Sequence, residues 1–209
     1  MLDGIEIFAQ SSIKISRDKI IYFDPYKIPK SFNDADLIFI THSHFDHFSE
    51  EDLRKVISFN SIIIAPYDLK ESIKNLGFKD NNVLFVEPNK EYDVDGMKFS
   101  TIPAYNINKP YHPRSNNWVS YIVNIDNYVY YIAGDTDLTV EAKEVKCNVA
   151  FVPVGGVYTM NYKEAFYLIN IIKPDVAIPI HYKTVVGTDV DANNFISLLD
   201  KSIKGKIFY

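Results

Sequence analysis

Residues 37–49 read LIFITHSHFDHFS, an apolar run that passes without a break into a cluster of imidazoles and a carboxylate. A near-continuous run such as residues 37–41 is what a β-strand covered on both faces requires. The segment therefore demands a sheet with material packed on each side, and a strand end where polar side chains can gather. His42 stands at that end, and the loop after it lets His44, Asp46 and His47 converge. Neutral imidazoles and a carboxylate suit a borderline cation such as Zn2+. Four such side chains within six residues can serve two neighbouring ions that share a water. A polar surface loop that happens to hold histidines is the plainer alternative, and strand context together with spacing makes it the weaker one.

Strand patterns recur throughout. Residues 5–9, 12–15 and 19–23 are short, rich in β-branched and aromatic side chains, and separated by turn formers. Residues 62–65, 83–86, 91–94, 97–102, 118–125, 128–133, 150–154, 176–180 and 206–209 continue the series. Hairpin turns are expected at Asp95-Gly96 and Asp126-Asn127. Ser49 followed by Glu50, Glu51 and Asp52 predicts a capped helix to about residue 57. Further helices are expected over 67–76, ended by Gly77, over 161–172, opened by an Asn161–Glu164 capping box and ended by Pro174, and over 192–200. Strands in blocks with helices between some of them suit two sheets packed face to face, helices outside, better than one doubly wound sheet. No linker, low-complexity tract or repeat divides the chain. Its 209 residues, 47% of them hydrophobic, are therefore expected to form a single domain, 1–209, with one substantial core. Residues 105–117 are the one long irregular stretch, and such loops are often functional.

Charged residues make up 23% and the formal net charge is −5. That balance lacks the basic excess of nucleic-acid binders and fits poorly with an anionic membrane surface. A phosphorylated substrate is still allowed, because a bound divalent ion inverts the local charge. The single cysteine, Cys147, has no disulfide partner, which points to a reducing, cytoplasmic setting; it reads as a buried small hydrophobe rather than a nucleophile. No run approaches ~18 apolar residues, and the opening MLDGIEIFAQ lacks the basic start and apolar run of a signal peptide.

Two further strand ends carry ligand-type residues. The strand over 128–133 runs into Gly134-Asp135-Thr136-Asp137, and the strand over 176–180 runs into His181. Alone, Asp135 reads equally as a turn residue and His181 as a hydrogen-bonded core histidine. Beside the first cluster, they are what a second metal requires.

With these residues in view, the chain resembles the metallo-β-lactamase superfamily of metal-dependent hydrolases over nearly its whole length. The features are two opening strands with Asp24-Pro25, the His-x-His-x-Asp-His loop, the Gly134-Asp135-Thr136 turn and His181. Val154-Gly155-Gly156-Val157-Tyr158-Thr159-Met160 and Pro179-Ile180-His181-Tyr182 look like the subgroup containing L-ascorbate-6-phosphate lactonase; the phospholipase D that cleaves N-acyl-phosphatidylethanolamines is a more distant relative. The resemblance implies an α/β (α+β) fold, a four-layer αβ/βα sandwich of two mixed β-sheets with external helices and a metal site at one edge. It also implies that His42 and His44 bind a first metal, that Asp46, His47 and His181 bind a second, and that Asp135 bridges both.

One departure stands out. The family usually has another histidine after the strand over 97–102, in a Pro-Ala-x-His context, where this chain has Pro103-Ala104-Tyr105-Asn106. Asn106 is a poor zinc ligand but can be an oxygen donor to a hard metal. His112, six residues on, either folds back to complete the site, contacts substrate, or is a surface residue.

The function implied is hydrolysis, with metal-activated hydroxide attacking a small phosphoester or lactone and Asp46 accepting or orienting the water's proton. Zn2+ is the expected cofactor, as one or two ions, with Mn2+ or Fe2+ as alternatives. A redox role is disfavoured, since di-iron relatives carry Glu where His44 stands. Two other readings compete: a nuclease or phosphodiesterase of the same fold, and a metal-binding regulatory protein with a degenerate site. Against the first stand the short chain and the lack of a basic stripe; against the second stands the cost of burying ligand-type residues without a purpose. Tyr158, Thr159 and Tyr182 are candidates for substrate contacts, and Lys109 and Arg114 for recognising an anionic group. Each has a plainer reading as packing, helix initiation or solvated charge. The expected partner is a small-molecule substrate, and a homo-oligomer is left open.

Overall fold

The computed structural model of the chain describes residues 1–208. They form two compact units, Leu2–Glu87 and Pro88–Phe208, the latter joined by Met1.

The first unit is built on a six-stranded mixed sheet: β1 (Ile5–Ile7), β2 (Ile13–Ser16), β3 (Ile20–Phe23), β4 (Ala35–Phe39), β5 (Ile57–Pro66) and β6 (Val83–Val86), in that spatial order. The first three strands pair antiparallel and the rest pair parallel. Leu37, Ile38 and Phe39 are fully buried, as their unbroken apolar run requires of a strand with neighbours on both sides and cover on both faces. Helix α1 (Glu50–Val56) starts at the Ser49 cap, whose side chain accepts from the Asp52 backbone N–H. Leu53 and Val56 of α1 enter a core with Tyr22, Ile38, Ile40 and Ile63. The helix expected over 67–76 is shorter. No side chain caps its start, residues 67–69 form a tighter 3-10 turn, and α2 is confined to Lys70–Asn75. Gly77, at φ +87°, ends it as expected.

The second unit carries a seven-stranded mixed sheet: β7 (Glu91–Val94), β8 (Met97–Pro103), β9 (Val119–Ile125), β10 (Tyr128–Ile132), β11 (Val149–Pro153), β12 (Val176–Ile180) and β13 (Lys204–Gly205), in spatial order from β13 to β7. Strands β7 to β10 pair antiparallel, and β7–β8 and β9–β10 are joined by tight turns in which Asp95, Gly96, Asp126 and Asn127 are all at positive φ. Strands β10 to β13 pair parallel, and every residue of β11 and β12 is buried. Helix α3 (Tyr162–Ile172) has the expected Asn161–Glu164 capping box and stops at Lys173 in the left-handed region, before Pro174.

Further boundaries differ from expectation: β5 starts at Ile57 rather than at residue 62. Helix α4 spans Asp189–Leu198 rather than 192–200, because Thr188 and Asp191 form a capping box three residues earlier. The last strand is Lys204–Gly205 rather than 206–209. Gly205 passes so close to Ile196 of α4 that a Cβ there would lie 2.5 Å from its methyl carbon. Tyr209, the end of the expected strand, lies outside the described residues. In both sheets the parallel strands β4, β10 and β12 end just before His42, Asp135 and His181.

Candidate functional site

In the first unit, a buried carboxylate organises the loop that follows β4. Asp24, just after β3 and at φ +45°, accepts from the Thr41 backbone N–H at 2.8 Å and from the Thr41 hydroxyl at 2.7 Å. Its Oδ2 also lies 2.7 Å from His47 Nδ1. Burial pushes the Asp24 carboxyl up, against the pull of His47 and Thr41 towards the ionised form. A carboxylate oxygen only accepts, so Nδ1 of His47 carries the proton and Nε2 the lone pair. Because the Thr41 hydroxyl gives its hydrogen to Asp24, it accepts from His42 Nδ1 at 3.0 Å. The lone pair of His42 is therefore also on Nε2. One Asp–Thr pair thus sets the tautomers of two histidines.

The lone-pair atoms gather in two places. His42 Nε2 is 3.1 Å from His44 Nδ1, close to the ~3.3 Å that separates two nitrogen ligands of one tetrahedral zinc. His47 Nε2 faces Asp46 Oδ2 at 3.7 Å, and Gln10 Nε2 approaches the same oxygen at 3.4 Å. His42, Asp46 and His47 are buried.

In the second unit, three ligand-type side chains meet at one oxygen. Asp135, just past β10, has its Oδ2 at 3.3 Å from His112 Nε2 and at 3.2 Å from His181 Nε2. All three residues are at least 96% buried. His181 adopts φ +54°, a left-handed turn at the end of β12 that is uncommon outside glycine and aimed by its surroundings. Gly155, after β11, makes that turn possible: a Cβ on it would lie 2.3 Å from the His181 carbonyl oxygen.

His112 is placed by the loop expected to be functional. Its backbone N–H donates to Asn106 Oδ1 at 3.1 Å, its Nδ1 lies 3.1 Å from the same oxygen, and the Asn106 backbone N–H donates to the His112 carbonyl at 2.8 Å. Trp118 closes over the ring edge, centroid to centroid 5.5 Å. Of the two residues weighed for the missing histidine, His112 is the one whose ring reaches Asp135, while the side-chain oxygen of Asn106 is turned to His112.

The donor sets fit divalent cations. An acceptor nitrogen facing a carboxylate oxygen at 3–4 Å is stable only with a proton or a metal ion between them, and buried carboxylates paired with imidazoles are what zinc-type ions select. The carboxylate–histidine contact on His47 is the usual outer support of a metal-binding imidazole.

The other candidates fall elsewhere. Lys109 Nζ is bonded to Asp137 Oδ1 and to the Thr159 carbonyl, the latter at 2.7 Å. Arg114 pairs with Glu141 at 2.6 Å and lies over the Tyr105 ring, whose hydroxyl donates to the same carboxylate at 3.0 Å. Tyr158 meets Tyr111 edge-on, centroids 4.7 Å apart. Thr159 and Tyr182 are fully buried, and burial pushes the Tyr182 hydroxyl up to about 12. Cys147 is only half-buried, and its thiol is pushed up to about 12 by burial, which keeps it protonated and unreactive. Sequence reasoning gave Asp24 no role and passed over Thr41, Asp137 and Gln10. For Asp24 and Thr41 the signal was adjacency to strand ends; for Gln10 and Asp137, which act across loops, there was none.

Comparison with known proteins follows the same line. A family model described as "Beta-lactamase superfamily domain" matches residues 5–181. A UPF0173 metal-dependent hydrolase of Pyrococcus abyssi is 30% identical over 205 residues, covering 94% of this chain and 89% of that protein. Its counterpart in Pyrococcus horikoshii is 29% identical over 208 residues, covering 93% and 91%. Among solved structures, Igni18, described as a novel metallo hydrolase from the hyperthermophilic archaeon Ignicoccus hospitalis, superposes with a TM-score of 0.80 at 22% identity, covering 97% of this chain and 93% of that one.

Proposed function

This chain belongs to the β-lactamase superfamily and, within it, to the UPF0173 metal-dependent hydrolases, and from that premise we propose that it opens a lactone or other small carboxylic ester with divalent metal held by its ligand-type residues. The ligands are His42, His44, Asp46 and His47 from the first unit and His112, Asp135 and His181 from the second. The observation that carries the reading is the convergence of His112 and His181 Nε2 on a single oxygen of Asp135. Within the first unit His42, His44, Asp46 and His47 would hold a divalent ion, and within the second His112 and His181 would do so with Asp135. Imidazole-rich ligation favours zinc over magnesium or calcium, with Mn2+ or Fe2+ as alternatives.

Bound there, a divalent cation supplies Lewis acidity to a carbonyl or phosphoryl oxygen and acidifies water towards ~7. The chain's own residues do the rest. Asp46 takes the proton of the attacking water on its carboxylate, which Gln10 steadies at Oδ2. Asp24 and Thr41 hold His42 and His47 in the tautomers that present Nε2. Trp118 over His112 keeps bulk water from that ring.

Among the bonds left open by the family, the ion pairs of the 105–117 loop favour a neutral ester. Lys109 is neutralised by Asp137 and Arg114 by Glu141, so neither offers an uncommitted charge to a phosphate. Tyr111 and Tyr158 offer aromatic surface instead.

The test is a panel of lactones, aryl esters, phosphomonoesters and phosphodiesters, assayed after chelation and after adding back Zn2+ or Mn2+. Metal-restored turnover of lactones or aryl esters is expected. Turnover confined to phosphodiesters or nucleic acid would transfer the assignment to a phosphodiesterase, and tight metal binding with no turnover on any ester would leave a binding protein.

A further inference from the structure

Asn106 stands where the family's usual histidine is expected, and its surroundings fix which way its amide points. Nδ2 faces two oxygens that only accept: Asp137 Oδ1 at 3.1 Å and the Tyr158 carbonyl at 2.8 Å. Nδ2 must therefore be the donating end, and Oδ1 is the atom turned to the His112 backbone N–H and ring Nδ1, each 3.1 Å away. An amide oxygen cannot donate. The proton of the neutral His112 ring is thus on Nδ1, and its lone pair is on Nε2, the atom 3.3 Å from Asp135.

The amide is itself held. Asp137 accepts from Asn106, from the Ile107 backbone N–H at 2.9 Å and from Lys109, whose ammonium also donates to the Thr159 carbonyl at 2.7 Å. Asn106 is 7% exposed, His112 1% and Asp137 4%. In so dry a setting, reversing the amide would oppose oxygen to oxygen at Asp137 and leave a donor against the His112 backbone N–H, each a buried mismatch with no water to relieve it.

We propose that Asn106 is a positioning residue for metal binding. It replaces the family's histidine not as a ligand but by locking His112 in the tautomer that presents Nε2, while Asp137 and Lys109 lock Asn106. The inference rests on His112 being a ligand, as proposed above, and the experiment separates the two.

Long-range proton–nitrogen NMR spectra of the full chain report which nitrogen of His112 is protonated, and zinc titration against a competing chelator reports affinity. The wild-type protein is expected to show an Nδ1–H ring at His112 in both zinc-free and zinc-loaded forms. His112→Ala identifies the zinc equivalent that this ring holds. Asn106→Ala is expected to weaken that equivalent by roughly 10–100-fold, to leave the remaining affinity as in the wild type, and to mix the His112 tautomers. An Nε2–H ring in the wild-type protein overturns the proposal, and this measurement holds even where a variant fails to fold. Wild-type zinc affinity in Asn106→Ala overturns it as well. If His112→Ala costs no zinc, the ligand reading of His112 fails instead, and this proposal falls with it.

Discussion

Asp24 Oδ2 lies 2.7 Å from His47 Nδ1 and takes the Thr41 hydroxyl at 2.7 Å, so a single fully buried oxygen holds both ends of the histidine loop. Removing it strands a buried imidazole N–H, a hydroxyl and a backbone N–H together. Asp24→Ala is expected to destabilise the protein by about 1–3 kcal/mol for each buried donor left without an acceptor. Urea unfolding of the metal-free protein measures this without interference from bound ions. A loss under 1 kcal/mol would show that the loop is held by other contacts.

Asp52 ties α1 to the chain after β3. Its carboxylate accepts from the Lys27 and Ile28 backbone N–H groups at 2.9 and 3.0 Å and pairs with Lys55 at 2.9 Å. Burial alone would raise its pKa, but Lys55, Ser49 and the two backbone donors outweigh burial and hold it below the usual 3.8. A depressed folded value means that the stabilisation is complete above 3.8 and disappears as pH falls through the lower, folded value. Asp52→Asn is expected to cost about 1–3 kcal/mol at pH 6, and the gap between wild type and variant should narrow as pH falls below 3.8. A gap that is constant or widens on acidification would contradict the assignment.

The legible parts of this chain were those encoded locally. The strand before His42 announces itself by an unbroken apolar run, the Asn161 cap by its Glu164 partner, and the two tight hairpins by Asp95-Gly96 and Asp126-Asn127. The start of α4 was misplaced because Asp191, rather than the usual Glu or Gln, completes its capping box. Sequence alone left His112 open among three readings, because its placement depends on Asn106 meeting Asp137 and Tyr158, 31 and 52 residues away. Lys109 and Arg114 drew attention as charges on a long loop. What decides their role is Asp137 and Glu141, whose proximity no spacing rule reports.

Because folded protein offers converging donors that the unfolded chain lacks, zinc should stabilise it by linkage. At a free concentration one hundred times the dissociation constant, each independent site adds about 2.7 kcal/mol. Protein stripped by a chelator and protein saturated with Zn2+ are expected to differ in the unfolding free energy obtained from urea denaturation by at least that much, and Asp135→Ala should abolish most of the difference. Coincident midpoints for stripped and saturated wild-type protein would remove the basis for a metal centre.

Gly155 offers a test of how tightly His181 is held. A Cβ there would sit 2.3 Å from the His181 carbonyl oxygen and 3.0 Å from a Val186 methyl, while Gly187, at φ +73°, closes from the other side, its own added Cβ falling 2.7 Å from Gly155 Cα. Backbone on two sides leaves a methyl group nowhere to go unless His181 moves. Overpacking of this kind costs about 1–3 kcal/mol, and here the strain falls on a residue already at φ +54°. Gly155→Ala is therefore expected to lower stability by that amount and to weaken zinc binding about as much as His181→Ala does, with turnover falling in parallel. Val186→Ala removes the side-chain part of the crowding alone, so Gly155→Ala/Val186→Ala should recover little. Full recovery in the double variant would mean that Val186, not the His181 backbone, sets the limit at Gly155.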